Sequence, residues 1–185
     1  MIFQETKLKG SFIINIENKN DKRGFFARAF CAKEFKKNDI NNKFVQANIS
    51  YSRKRGTLRG MHYQIKPASE SKFIRCINGA VLDVIIDMRP ESRTYLQHIE
   101  VELSSENRTA IYVPSMFAHG NQALTDDVEL FYFVDRLYNS KCERGVRYDD
   151  PLIGIKWPLV VTEISDKDLQ IPFINHFSPN GKLLD

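Results

Sequence analysis

The residues best suited to chemistry lie in one short stretch, residues 56–64, which reads Gly-Thr-Leu-Arg-Gly-Met-His-Tyr-Gln. A turn followed by a strand is predicted here, and it places the guanidinium of Arg59, the imidazole of His62 and the carboxamide of Gln64 within six residues. Polar groups on a short strand need hydrogen-bond partners when they are buried. Histidine is also the side chain whose charge changes near neutral pH. We therefore take His62 as the centre of a candidate site.

Three uses of His62 fit the sequence: acid–base chemistry or ligand binding, a structural place in the core, and metal ligation together with His119. A metal site needs a third and a fourth ligand, and the segment His-Tyr-Gln lacks the His-x-His pair that would strengthen this interpretation. Acid–base chemistry or binding is the favoured use.

Two carboxylates of the predicted strand 80–88 share a face with its apolar residues, because Asp83 and Asp87 have the same parity as Val81 and Ile85. A carboxylate that faces the interior is expected to pair with a histidine or a cation. Asp83, between Leu82 and Val84, is the better buried candidate, whereas Asp87 near the strand end is expected to be exposed.

Lys72 and Tyr132 complete the set of reactive side chains. Lys72 begins an otherwise apolar strand, so it lies either at the mouth of a pocket or at a solvated strand end. Tyr132 is central in strand 128–134, on the opposite face from Phe131 and Phe133. It is either a core tyrosine with a hydrogen-bonded hydroxyl or, combined with the other groups, a proton donor.

The elements that must position these residues are short strands at regular spacing, which favours a β-sandwich or barrel over βαβ units. In residues 44–50 the alternation is strict and places Gln46 and Asn48 on one face. The turn Asn78-Gly79 between two apolar runs predicts a hairpin. Other strands are predicted at 11–16, 25–30, 72–77, 80–88, 95–103, 108–113 and 128–134, with short helical pieces at 32–38 and 165–168.

Composition suits one soluble domain over residues 1–185, since 42% of the residues are apolar and 27% are charged. The net charge of +4 is dispersed, so nucleic acid is not an expected partner. No apolar run approaches a membrane span, and residues 1–7 lack a signal-peptide pattern. The three cysteines form no CxxC motif and fit free thiols, so a cytoplasmic protein is expected.

Taken together, the motifs resemble the dTDP-4-dehydrorhamnose 3,5-epimerase family, in order from about residue 23 to residue 172. They are DKRGFF (21–26), QANIS (46–50), GTLRGMHYQ (56–64), KFIRC (72–76), DVIIDMR (83–89), PSMFAHG (114–120), ERG (143–145), WP (157–158) and SDKD (165–168). The resemblance implies a mainly β, cupin-like jelly roll with short peripheral helices, which dimerises and needs no metal or organic cofactor. Its implied substrate is a nucleotide-linked 4-keto-6-deoxyhexose that is inverted at C3 and C5.

Roles for individual residues also follow from the resemblance. His62 is the base, Tyr132 is the proton donor, Asp168 orients the histidine, and Lys72 is the cation near the developing oxyanion. The implied substrate-binding residues are Arg23, Gln46, Asn48, Arg59, His119, Glu143 and Lys167. Asp83, Tyr138 and Arg28 are further candidates.

Two features of the chain qualify this assignment. The family usually has a glutamate where this chain has Arg28, and a cationic donor in place of an acceptor changes what that position binds. Simple strand alternation places Arg59 and His62 on opposite faces, so Gly60 would have to permit a bulge for both to line one pocket.

Other activities remain open. A C3-only epimerase and an enzyme for CDP- or GDP-linked sugars fit nearly the same residues. From different classes, a metal-dependent cupin enzyme and a non-catalytic sugar-nucleotide binding module are the alternatives.

Overall fold

The computed structural model describes residues 1–41 and 43–174, which form short strands and two short helices. In chain order the elements are β1 (Ile2–Glu5), β2 (Phe12–Asn15), β3 (Lys19–Asp21), β4 (Gly24–Phe26), α1 (Ala32–Lys37), β5 (Gln46–Ser52), β6 (Leu58–Gln64), β7 (Lys72–Asn78), β8 (Ala80–Asp87), β9 (His98–Ser104), β10 (Ala110–Val113), β11 (Phe117–Ala123), β12 (Val128–Val134), β13 (Glu143–Gly145) and α2 (Asp166–Leu169). The mainly β prediction is confirmed.

Two antiparallel sheets carry the fold. One has six strands in the order β1-β2-β10-β7-β12-β5, and the other has five in the order β13-β6-β11-β8-β9. Their facing side chains form the central core, to which the six-stranded sheet contributes Ile74 and Leu130 and the five-stranded sheet contributes Val81, Ile85 and Phe117. Alternation along each strand therefore places every second side chain between the sheets.

The outer faces of both sheets are partly covered. Phe35 of α1 packs with Phe73 and Phe133 on the outer face of the six-stranded sheet. The segment that follows β13 brings Val146 and Ile153 onto the outer face of the five-stranded sheet. Burial on both faces explains why several strands read as continuous apolar runs rather than as alternating ones.

The predicted strand 25–30 is wrong beyond Phe26, where β4 ends. Phe30 leaves the strand direction and packs its ring 5.0 Å from that of Phe35 and 5.6 Å from that of Phe44. The aromatic cluster around α1 therefore takes up the side chain that alternation assigned to a strand.

The predicted hairpin at Asn78-Gly79 is also wrong, although the turn exists. β7 pairs with β10 and β12 in the six-stranded sheet, whereas β8 pairs with β9 and β11 in the five-stranded sheet. Gly79 has a φ of +71°, and a Cβ there would lie 2.5 Å from the side chain of Thr125. The turn therefore carries the chain from one sheet to the other.

Asp87 is buried rather than exposed. Its carboxylate accepts hydrogen bonds from the side chains of Arg89, Ser92 and Thr94, which fold back over the strand end. Burial alone would raise the pKa of Asp87, but these hydrogen bonds hold it below its usual value. The residues after a strand end thus decide whether its last side chain meets solvent.

Candidate active site

A cavity with two adjoining parts lies between the sheets, and His62, Lys72 and Tyr132 line both parts. The larger part, of about 490 Å³, is also lined by Arg59, His119, Lys167 and Asp168. The smaller part, of about 280 Å³, is also lined by Gln46, Asn48, Glu70, Tyr138 and Glu143. The fold thus brings most of the predicted residues to one place, from six different strands and α2.

A β-bulge at Gly60 places Arg59 and His62 on the same face of β6. His62 pairs with His119 and Arg59 pairs with Asn121, so three steps along β6 oppose two steps along β11. Gly60 has a φ of +111°, and a Cβ would lie 2.6 Å from the Cα of Gly120. Only glycine fits there, and the bulge that simple alternation required is present.

Asp168 holds the imidazole of His62. The Nε2 atom of His62 lies 2.7 Å from Oδ1 of Asp168, and the backbone N–H of Gly60 donates to Oδ2 at 3.2 Å. Ser165 caps α2 by accepting from the Asp168 N–H at 3.1 Å, which fixes the aspartate against β6. Burial opposes the charge of Asp168, but the bond with His62 and that from Gly60 lower its pKa. A proton held on Nε2 leaves Nδ1 of His62 free to accept another.

His119 forms a second imidazole–carboxylate pair beside the first. Its Nε2 atom lies 2.8 Å from Oδ2 of Asp83, which is fully buried on β8. The pairing agrees with the expectation that a carboxylate facing inward from this strand pairs with a histidine or a cation. The ring of His119 lines the larger part of the cavity, whereas Asp83 lies behind it.

Tyr132 faces the cavity from the other sheet. Its register partner on β5 is Asn48, whose side chain bonds the hydroxyl, and Gln46 donates to Asn48 at 2.7 Å. Burial raises the pKa of Tyr132, as does the nearby charge of Glu70, so the phenol keeps its proton at neutral pH. The side chain is thus suited to giving a proton rather than taking one.

Lys72 lies at the cavity and not at a solvated strand end, since its side chain is only 13% exposed. Its ammonium is 3.0 Å from the carboxylate of Glu70. Glu70 is not among the residues predicted from the sequence, because it lies in the loop between β6 and β7, outside the strands whose alternation predicts a side chain's direction. Its one signal was position, two residues before a lysine that enters an apolar strand.

A charged cluster borders the cavity at β13. Lys167 donates to both carboxylate oxygens of Glu143, at 2.7 and 2.6 Å, and the hydroxyl of Tyr138 donates to the same group at 2.7 Å. Burial opposes the charge of Glu143, but the bonds from Lys167 and Tyr138 lower its pKa. Two of the predicted binding residues, Glu143 and Lys167, therefore form one hydrogen-bonded group with the further candidate Tyr138.

Arg23 and Arg28 do not line the cavity of their own chain. Arg23 is 84% exposed on the β3–β4 hairpin, where it pairs with Asp21 at 2.7 Å. Arg28 pairs with Glu34 of α1. The predicted binding residue Arg23 and the further candidate Arg28 both lie on the peripheral segment between β3 and α1.

Within residues 1–41 and 43–174, no group of three or more His, Cys, Asp or Glu side chains is arranged to hold a metal ion. The helices in this part of the chain are also too short to cross a membrane.

The arrangement suits proton transfer to and from a bound molecule. His62 projects from the five-stranded sheet and Tyr132 from the six-stranded sheet, so a base and an acid face one cavity from opposite walls. The ammonium of Lys72 lines the same space and can stabilise a negative charge that forms there.

Comparisons with known proteins agree with this description. The sequence pattern described as dTDP-4-dehydrorhamnose 3,5-epimerase matches residues 5–176. The dTDP-4-dehydrorhamnose 3,5-epimerase of Sinorhizobium fredii is 39% identical over 173 residues, which cover 93% of this chain and 89% of that protein.

Two solved structures are similar over nearly the whole chain. The dTDP-6-deoxy-D-glucose-3,5-epimerase of Legionella pneumophila, in complex with dTDP-4-keto-L-rhamnose, has a TM-score of 0.88 and 35% identity, covering 95% of this chain and 94% of that one. ChmJ of Streptomyces bikiniensis, a 3'-monoepimerase in complex with dTDP-quinovose, has a TM-score of 0.84 and 30% identity, covering 91% and 86%. These likenesses confirm the predicted cupin-like jelly roll. On the matched pattern and these relatives, the chain belongs to the dTDP-4-dehydrorhamnose 3,5-epimerase family.

Proposed function

We propose that the protein inverts C3 and C5 of a nucleotide-linked 4-keto-6-deoxyhexose, converting dTDP-4-dehydro-6-deoxy-D-glucose to dTDP-4-dehydro-L-rhamnose with no resident metal or organic cofactor. The observation that carries this proposal is the placement of His62 and Tyr132 on facing sheets with one cavity between them. The family assignment supplies the class of substrate.

The chemistry needs an acid and a base on opposite sides of the sugar. C3 and C5 both adjoin the C4 ketone, so removal of a proton from either carbon leaves an enolate. His62, held by Asp168, takes the proton, and Lys72 stabilises the charge on the ketone oxygen. Tyr132 then returns a proton to the other face of the carbon, which inverts its configuration.

The nucleotide diphosphate is assigned to the cationic side chains around the cavity. Arg59 is fixed there by Ser52 Oγ at 3.0 Å and by the Tyr51 carbonyl at 2.7 Å, both on β5. A guanidinium held in this way is preorganised for phosphate oxygens. Lys167 adds a second cation at the cavity edge, next to Glu143.

The protein is proposed to act as a homodimer. β5 is an edge strand of the six-stranded sheet and exposes Ile49 (65%) and Tyr51. An exposed apolar edge strand is a surface on which a second copy can pair. The β3–β4 hairpin exposes Phe26 (73%) and Arg23, and a second copy would allow Arg23 to reach its partner's cavity. A cytoplasmic location is proposed with it, supported by free cysteines that need no oxidising compartment.

The test of function is NMR of the EDTA-treated protein with dTDP-4-keto-6-deoxyglucose in heavy water. Deuterium at C3 and C5 with formation of the L-rhamno product supports the proposal, and the absence of exchange at both carbons contradicts it. In Tyr132→Phe we expect exchange to persist while inversion fails, because the base is intact and the acid is lost. Full epimerisation by this variant would refute the role of Tyr132.

A C3-only epimerase is the second candidate, favoured by the likeness to a 3'-monoepimerase. Deuterium at C3 alone would identify it. Arg28, which replaces the usual glutamate, makes CDP- and GDP-linked ketosugars the substrates to try alongside the dTDP sugar.

A further inference from the structure

We propose that Glu70 is a positioning residue of the active site, whose carboxylate fixes the ammonium of Lys72 beside His62 and Tyr132. This inference rests on the proposed function, because it concerns how that site holds its oxyanion-stabilising cation. The observation behind it is a carboxylate that lines the smaller part of the cavity together with all three of these residues.

The ion pair between Glu70 and Lys72 is shielded from water. The two side chains are 11% and 13% exposed, and Oε1 of Glu70 lies 3.0 Å from Nζ of Lys72. Lysine carries a flexible four-carbon stem, so the place of its ammonium is set by its partners. A shielded carboxylate at this distance determines where that charge lies.

Hydrogen bonding around Gln64 shows that both carboxylate oxygens of Glu70 accept hydrogen bonds. The backbone N–H of Asn139 donates to Oε1 of Gln64 at 2.6 Å, which fixes the orientation of this buried amide. Its Nε2 group therefore points at Oε2 of Glu70 and donates to it. Since Lys72 uses Oε1, Glu70 accepts from two donors at once. A carboxamide in the same position would turn its NH2 group, which can only donate, toward one of these two donors.

Gln64 also connects Glu70 to the loop that carries Tyr138. Its amide donates to the carbonyls of Ala68 and Leu137 and accepts from Asn139. Glu70 is thus bound at one oxygen to this hydrogen-bonded amide and at the other to the ammonium of Lys72. Hydrogen bonds of this kind hold a supporting residue in one rotamer beside a reacting group.

The negative charge of Glu70 also acts on Tyr132. Burial, and after it the charge of Glu70, raise the pKa of this phenol, whereas Arg59 and Asn48 oppose them. The other titratable or charged side chains that line the cavity are His62, Tyr63, Lys72, His119, Arg136, Tyr138, Glu143, Glu163, Lys167 and Asp168. Removal of the charge of Glu70 should therefore lower the pKa of Tyr132.

The first test reads the position of Lys72 without using the reaction. In ¹⁵N-labelled protein, NMR of lysine ammonium groups should show a signal for Lys72, assigned by its absence from Lys72→Arg, because shielding and the ion pair slow its proton exchange. We expect the signal to broaden or be lost in Glu70→Ala and to shift in Glu70→Gln. In Glu106→Gln, which alters an exposed turn, it should be unchanged.

The second test is the pH dependence of kcat. Glu70→Ala should lower kcat about 10- to 100-fold, because displacing a catalytic group by about 1 Å can reduce the rate by up to about 100-fold. KM should stay within about threefold of the wild-type value. Glu70→Gln should lose less of the wild-type kcat. The alkaline limb of its kcat–pH profile should move to lower pH, because Tyr132 loses its proton at a lower pH in this variant. Glu106→Gln should keep the wild-type profile, and thermal unfolding of each variant separates these effects from misfolding.

The outcomes are distinct. A shifted alkaline limb together with a changed Lys72 signal supports the proposal, and a wild-type signal and profile in both Glu70 variants overturns it. If the wild-type protein exchanges no sugar protons, the proposed function fails, and the Lys72 signal still decides whether Glu70 holds this ammonium.

Discussion

Two imidazole–carboxylate pairs lie side by side on the five-stranded sheet, because His62 and His119 are register partners on β6 and β11. Their Nε2–Oδ distances are nearly equal, at 2.7 Å to Asp168 and 2.8 Å to Asp83. Their surroundings differ. The side chain of His62 is 32% exposed to the cavity, whereas that of His119 is 12% exposed.

The carboxylates differ more than the rings do. Asp168 comes from α2, outside the sheet, and its second oxygen accepts from the Gly60 backbone. Asp83 comes from the neighbouring strand β8, and among the described residues its second oxygen is buried without a hydrogen-bond partner. Asp168 thus remains satisfied while the proton on His62 comes and goes, whereas Asp83 depends on His119 alone. The first pair suits a base, and the second suits a ring held in a fixed position to hydrogen-bond a ligand.

The largest expected effect separates the two rings. His62→Asn should lower kcat about 10³- to 10⁴-fold, because asparagine can hydrogen-bond to Asp168 but cannot take a proton. Binding of dTDP, measured by calorimetry, should stay within a few-fold. In His119→Asn we expect the larger change in KM, at about 10-fold, with kcat less affected.

His98→Asn, on β9, is the matched control and should behave as wild type. Equal losses of kcat in His62→Asn and His119→Asn would contradict the division of roles.

The next effect compares the two carboxylates. Asp168→Asn should lower kcat about 100-fold, because the amide no longer holds the proton on Nε2 of His62 or stabilises the imidazolium. Asp83→Asn should lower kcat less than about 10-fold, since His119 does not take the sugar proton. Steady-state kinetics with both variants at equal folded fraction checks this, and a reversed order would show that Asp83 supports the base.

Most residues of the site could be predicted from the sequence, because they are polar side chains at strand positions where apolar ones are expected. Alternation predicted the inward side of Asp83 and the separation of Tyr132 from Phe131. It could not predict the pairing of β7 and β8 with different sheets, because an Asn-Gly turn specifies a local reversal and not the partners of the strands. Asp87 was assigned to solvent for a similar reason, since the residues that cover it come later in the chain.

Glu70 and the bulge at Gly60 mark the other limit of sequence reasoning. A bulge adds one residue to a strand and so moves the side chains beyond it to the other face of the sheet. The presence of a glycine does not by itself predict that a bulge forms. Glu70 acts through contacts with Gln64 and Lys72 that only the folded loop creates. The bulge depends on a strand partner distant in the chain, and the contacts of Glu70 depend on the conformation of a loop, so strand alternation predicts neither.

The bulge supplies a third prediction, on stability. Gly60→Ala should lower the free energy of unfolding by about 2–4 kcal/mol, because it combines a strained positive φ with a collision against the Gly120 backbone. It should also displace the N–H that donates to Asp168. Gly24→Ala is the matched control, since Gly24 has a φ of +128° and no atom within 4 Å of its added Cβ.

Urea unfolding of both variants measures the difference, and equal losses would mean that crowding at Gly120 contributes nothing.

The smallest expected effect is the acid dependence of stability. The pKa of Asp168 is lowered in the folded state, with its burial outweighed by the bond to His62 and the N–H of Gly60. The stability this contributes is complete above the ordinary aspartate pKa of about 3.9 and is lost as the pH falls through the lower folded-state value. Below about pH 4, the free energy of unfolding of wild type should therefore fall more steeply than that of Asp168→Asn.

Urea unfolding from pH 7 to pH 2.5 checks the slopes, with Asp166→Asn, on the same helix, controlling for the loss of one carboxylate. If wild type and Asp168→Asn have equal slopes, His62 and Gly60 do not favour the ionised form of Asp168. The contrast with Asp83 would then depend on the exposure of the two rings alone, and the case for His62 as the base would rest on its access to the cavity.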